Sequence, residues 1–152
     1  MQLCPVVGLI AATARRVFHE MSGMGVMPFC TGLNIIVSRS GFETDTPGCV
    51  VVPSIGAALE ASNRGVSDAP IHVLGGEDVY RTLLPHATML RMTQIHQDYA
   101  GNVSFPEYRQ SIASDGGKGI GEWKEVSRED VNTVDQMSNA PIELSFVDYK
   151  RV

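Results

Sequence analysis

Ile71-His72-Val73-Leu74-Gly75-Gly76-Glu77-Asp78-Val79-Tyr80-Arg81-Thr82-Leu83-Leu84 is the stretch on which the reading of this chain turns. The short run of Ile, Val and Leu predicts a strand, the glycine pair a turn with almost no side-chain bulk, and the next ten residues a helix. Adjacent glycines at a strand-to-helix turn reach backbone angles denied to other residues and let a ligand meet the main chain without a Cβ in the way. The unpaired first amides of the helix point into that space, where an anion such as a pyrophosphate is favoured. The plainer reading is that a Gly-Gly pair only makes a tight turn. Glu77 and Asp78 sharpen the contest, because acids in a first helical turn suit the helix dipole and compete with phosphate for the same amides.

The flanks decide more. The helix closes at Leu83-Leu84-Pro85, and Met89-Leu90-Arg91-Met92-Thr93-Gln94-Ile95 reads as a second strand that leads into Asp98-Tyr99-Ala100-Gly101-Asn102-Val103-Ser104-Phe105-Pro106-Glu107-Tyr108. Upstream stands Leu33-Asn34-Ile35-Ile36-Val37-Ser38-Arg39, and downstream Trp123-Lys124-Glu125-Val126-Ser127 and Ile142 to Arg151. The succession resembles the dihydrofolate reductase family: a V-I-G-G-x-x-V/I-Y turn, a helix ending L-P, a strand carrying L-T-x-I, then G-D-x-x-F-P-E/D. The upstream strand resembles that family's L-N-I-V-L-S-R, and the downstream segments its closing pair of strands. The resemblance runs from Leu33 to Val152.

Length and composition agree with a single domain over 1–152, long enough to bury a core. Hydrophobic residues make up 43% and charged residues 19% of the chain, an ordinary globular balance. A net charge of -5 argues against nucleic acid as a partner, although a local basic patch can still hold phosphates. No apolar run approaches membrane-spanning length, and the start carries no basic region ahead of its apolar stretch, so neither a membrane span nor a secretory signal is expected. Cys4, Cys30 and Cys49 lack paired spacing, which fits buried thiols in a reducing compartment, and the cytoplasm is the expected location. The four histidines show no ligand spacing with them, and no metal is expected.

In chain order, Val6 to Ala12 is apolar throughout, as a strand buried on both faces of a parallel sheet requires. It resembles the family's first strand, S-L-I-A-A; by that resemblance Ile10 offers a backbone carbonyl to a pterin and Ala12 contacts nicotinamide. The family then uses roughly fifty residues for a loop ending L-P-W, a helix that begins with an acid, a second strand and a G-R-x-T-W/F helix, whereas about twenty separate Ala12 from Leu33 here. About thirty residues of the family pattern are therefore missing near the N-terminus. Two registers place what remains. In the first, Ala14 to Met21 matches the G-R-K-T-W-E-S-I helix, and Ala14, Val17, Phe18 and Met21 do recur at helical spacing. In the second, Met27-Pro28-Phe29 is the loop's L-P-W. Under the first register Arg15 and Arg16 open a helix facing cofactor phosphates, where guanidinium forks bind in bidentate fashion, or else lie on a solvated face. Val17 stands where the family has a hydroxyl, and Gly32 where it has the Arg that grips the folate tail.

Cys49-Val50-Val51-Val52 reads as a further strand and Ile55 onward as a helix capped by Ser54. This alternation predicts an α/β fold: a mixed, mostly parallel sheet flanked by helices, with antiparallel C-terminal strands. Ser114 to Gly121 is Gly-rich with one Lys, but no helix with a Ser or Thr after the Lys follows it, so a flexible connection is expected.

The resemblance implies reduction of 7,8-dihydrofolate to tetrahydrofolate with NADPH as cofactor. Ala12, Arg15, Arg16, Ser38, Arg39, Gly75, Gly76, Glu77, Asp78, Val79 and Tyr80 are its cofactor residues, with Ser38 and Arg39 at the adenosine 2′-phosphate and Tyr80 near nicotinamide. Ile10, Leu74 and Thr93 are its pterin residues, and the Gly75-Gly76 peptide is cis. Hydride transfer depends on two rings held face to face, and a carboxyl in an apolar pocket assists protonation. No acid takes that place: Glu20, Glu43 and Asp45 do not follow the family's motif, and the catalytic residue is unassigned. Three readings stay open. The chain is a dihydrofolate reductase, monomeric like its family; or an incomplete relative that binds nucleotide or a partner without turnover, with association favoured by apolar surface left where the segment is missing; or a reductase of another pterin or pyrimidine.

Overall fold

The computed structural model describes residues 10–28, 32–65, 70–108, 123–135 and 138–152. Val6 to Leu9, Cys4, Cys30 and the Gly-rich run Ser114 to Gly121 lie outside the described residues. The chain divides into two compact units, Met1–Leu83 and Leu84–Val152.

In the first unit, β1 (Ile10–Ala14), β2 (Leu33–Val37), β3 (Cys49–Val52) and β4 (Ile71–Val73) form a parallel sheet in the order β3-β2-β1-β4. Asn34, Ile35 and Ile36 in β2 are all buried, which is why that strand reads as a continuous apolar run around one Asn. Asn34 is tolerated there because its Nδ2 donates to the Gly32 carbonyl at 3.3 Å. Helix α2 (Ile55–Gly65) packs Ala58 against Ile35, with Leu33, Val37, Val52 and Ala61 around them. Its start is the expected cap: the Ala57 amide donates to Ser54 Oγ at 3.1 Å.

Strand β1 reaches Ala14, two residues past the expected end, and helix α1 (Arg15–Gly23) starts at the next residue. The helix is the one the first register expects, with Phe18 buried and Val17 and Met21 half-buried. Helix α3 (Glu77–Leu83) is shorter than the ten residues expected, because Pro85 lacks an N–H and the chain tightens into a 3-10 turn at Leu84–His86.

The second unit is an antiparallel sheet of β5 (Met89–Ile95), β6 (Trp123–Val134) and β7 (Pro141–Arg151) in the order β5-β7-β6. Leu84, Leu90, Val147 and Tyr149 form its core, with Met92, Phe105, Tyr108 and Trp123 packed against them. Ser145, on the central strand, is fully buried. Its Oγ donates to Asp130 Oδ1 on β6 at 2.5 Å and lies 2.7 Å from His96 Nε2, just past the end of β5. One hydroxyl therefore ties all three strands, and a shallow cleft of about 430 Å³ opens over it. At the other end Arg151 donates to the carbonyls of Ala87 at 2.7 Å and Leu84 at 2.6 Å, with its guanidinium 4.3 Å from the Trp123 ring centroid.

The architecture is the expected α/β class, a mostly parallel sheet with helices and antiparallel C-terminal strands. One continuous mixed sheet was the expectation; the strands instead pair as two sheets. β4 pairs only with β1, and β5 only with β7, so each ends its own sheet among the described residues. No described helix is long and apolar enough to cross a membrane.

Candidate functional site

The carboxyl ends of β1, β2 and β4 belong to one sheet edge, where parallel α/β sheets receive ligands. Leu74 donates its amide to the Ala12 carbonyl at 2.9 Å, and Ala14 donates to the Gly75 carbonyl at 2.7 Å, so the glycine turn is laced to the end of β1. The Gly75–Gly76 peptide is cis. Gly75 has φ +107, and a Cβ there would lie 3.1 Å from Tyr80 Cε2, so the tyrosine ring covers the turn. A Cβ on Gly76 would fill the space beside Val17 Cγ2, at 3.7 Å, and Ala14 Cβ, at 4.0 Å. Burial raises the Tyr80 phenol above its ordinary pKa and keeps it protonated near neutral pH.

Two helices begin beside this turn, and they differ. Helix α3 opens with Glu77 and Asp78, and Arg81 pairs with both. Helix α1 opens with no acid and with no side-chain cap, Ala14 being its N-cap residue. Its first amides are thus left for an anion. Arg16 is engaged by Glu20 one turn on, at 3.1 Å. Arg15 turns the other way: Nη1 donates to Ser40 Oγ at 3.0 Å, Nε donates to His19 Nε2 at 3.3 Å, and the guanidinium lies 5.3 Å from the Phe42 ring centroid. Neither Arg15 nor Arg39 has a carboxylate partner among the described residues. Ser38 is buried at the end of β2, with its amide on the Val52 carbonyl, and places exposed Arg39 and Ser40 beyond it.

The first unit therefore places Arg15, Ser38, Arg39, Gly75 and Gly76 at strand ends and helix starts around a single sheet, with Ala12 inside β1 and Tyr80 inside α3. Arg16 is held by its own helix, and Asp78 is exposed beside Arg81. Val79 is buried and reads as packing. Ile10 opens β1, and Leu74 follows β4 directly. Thr93 belongs to the second unit, exposed on β5. Glu20 is exposed in its ion pair, and Glu43 and Asp45 are exposed. Sequence reasoning missed His19, Ser40 and Phe42. The spacing of four between Arg15 and His19 could have signalled the first; nothing local signals the other two.

A parallel sheet whose strand ends carry a glycine turn, an uncapped helix start and two cations without carboxylate partners among the described residues defines an α/β protein with an electropositive sheet edge. The comparisons make the class particular. The dihydrofolate reductase family model matches residues 13–151. The chain is 31% identical over 118 residues to a dihydrofolate reductase of Bacillus subtilis (strain 168), covering 78% of this chain and 60% of that protein. It is 34% identical over 94 residues to a dihydrofolate reductase type 5 of Escherichia coli, covering 60% and 54%. With a dihydrofolate reductase of Neisseria gonorrhoeae it shares 29% over 124 residues, covering 82% and 65%. This chain belongs to the dihydrofolate reductase family. It spans about half to two thirds of the length of these relatives.

Proposed function

We propose that the chain binds NADPH at the edge formed by β1, β2, α1 and the Gly75–Gly76 turn, and reduces 7,8-dihydrofolate to tetrahydrofolate in the cytoplasm as a single domain. One observation carries the reading: the first turn of α1 holds no acid and no side-chain cap, and Arg15 and Arg39 lack carboxylate partners among the described residues. The residues fit the cofactor. Arg15, Ser38 and Arg39 would hold phosphate groups, Arg39 favouring NADP over NAD, and the glycine turn would let the cofactor approach main chain that carries no side chain. When bound, NADPH would supply the hydride. Tyr80 would cover the turn as a neutral phenol, and the pterin would take the backbone carbonyls of Ile10 and Leu74.

A second reading has its own observation. A proton donor needs a carboxyl raised by an apolar pocket, and Glu20, Glu43 and Asp45 are all exposed. The alternative is a relative that binds nucleotide without turnover. Titration of the purified protein with NADPH, followed by cofactor fluorescence, and then addition of dihydrofolate, followed by absorbance loss, separates the two. Saturable binding with turnover supports the reductase. Binding without turnover supports the second reading, and no binding by folded protein overturns both.

A further inference from the structure

We propose that His19 is a positioning residue that presets Arg15 to join Arg39 at an adenosine 2′-phosphate and so strengthens the preference for phosphorylated over unphosphorylated adenosine ligands; this rests on the phosphate-binding edge read above. An exposed arginine normally samples many rotamers, and settling on an anion costs that freedom. Arg15 is already settled. His19, one turn on, accepts from its Nε at 3.3 Å; Ser40 accepts from Nη1 at 3.0 Å; and Phe42 lies under the guanidinium plane at 5.3 Å to its centroid. Nη2 takes no partner among the described residues.

His19 is itself fixed from the sides. Exposed on the helix, its ring lies 5.0 Å from that of Phe42 and 5.5 Å from that of buried Phe18, and these two contacts hold it beside Arg15 as an acceptor. To accept from Arg15, Nε2 must present its lone pair, which puts the ring proton on Nδ1. The neighbouring helix arginine shows the alternative arrangement: Arg16 has a glutamate at the same spacing and is neutralised by it. A neutral acceptor at position 19 orients Arg15 without cancelling its charge. That combination suits a group that must meet a dianionic phosphate.

Calorimetric binding of 2′,5′-ADP and 5′-AMP to the wild-type chain and to three variants tests this. Arg15→Gln removes the cation. His19→Phe keeps the ring contacts and removes the acceptor, and His19→Gln restores an acceptor. Wild type should prefer 2′,5′-ADP; His19→Phe should lose about threefold to fivefold of that preference, and His19→Gln should stay within about twofold of wild type, with 5′-AMP affinity unmoved in both. Loss of preference in Arg15→Gln but not in His19→Phe overturns the proposal and leaves the phosphate reading standing. Equal losses in both His19 variants also overturn it, since the ring and not the hydrogen bond would then matter. No loss in Arg15→Gln overturns the phosphate reading itself.

Discussion

Replacing Gly75 with Ala puts two separable loads on the turn. The first is conformational: φ is +107, a region that L side chains rarely adopt, and holding a non-glycine residue there costs about 1–3 kcal/mol. The second is steric. The new Cβ would stand 3.1 Å from Tyr80 Cε2 and 3.4 Å from Cζ, so the half-buried ring must give by a few tenths of an ångström, at about 1 kcal/mol. Together Gly75→Ala should destabilise by about 2–4 kcal/mol. Urea denaturation reads this as a lower midpoint at unchanged slope. The two loads separate in a Tyr80→Leu background, where the steric part should vanish and the conformational part persist, so the cost of Gly75→Ala should fall by about 1 kcal/mol. A Gly75→Ala protein within about 0.5 kcal/mol of wild type would refute the argument. So would a cost that the Tyr80→Leu background leaves unchanged, because Tyr80 would then not be the group that closes over the turn.

Ser145→Ala removes the hydroxyl that joins three strands. Asp130, with a side chain 72% exposed, can rehydrate, so we expect a loss of about 1–2 kcal/mol and a Tm lowered by about 2–8 °C, and an unchanged Tm would sink the role given to Ser145. Arg151→Lys keeps the charge but loses the fork to the Leu84 and Ala87 carbonyls and the planar contact with Trp123. It should cost about 1–2 kcal/mol and shift the emission of the chain's single Trp; identical spectra would count against the contact. Tyr80 carries a pH prediction. Because burial raises its pKa in the folded state above 10.0, the folded state favours the neutral phenol, and stability is intact below pH 10 and falls as pH rises through the shifted value. Tyr80→Phe should flatten that alkaline fall, and an identical fall in the variant would contradict it.

Much of the fold was legible because the relevant signals are local. Met89–Ile95 and Cys49–Val52 are strands at the expected bounds, Ser54 caps its helix, and Ala14, Val17, Phe18 and Met21 mark a helix by their spacing. Where local signals compete, boundaries moved. Strand β1 runs on to Ala14, where pairing with Val37 of β2 continues the ladder, and α3 stops early at the proline turn. At the candidate site, the glycines and Arg15, Ser38 and Arg39 are positions that motif resemblance names in advance. Arg15's surroundings were not legible.

The amino-acid sequence alone was enough for the family, the α/β class, the glycine turn and the lack of an acid that follows the family's motif. These follow from residue order, spacing and composition, which a chain carries before it folds. Only the tertiary structure decided which strands are neighbours, and hence that the strands pair as two sheets. It alone turned Arg16 onto Glu20 and Arg15 toward His19, Ser40 and Phe42. It also set Ser145 between Asp130 and His96. Such pairings join residues 15 and 40, or 96 and 145, through strand order and register, and no periodicity within a segment encodes the partner across a sheet.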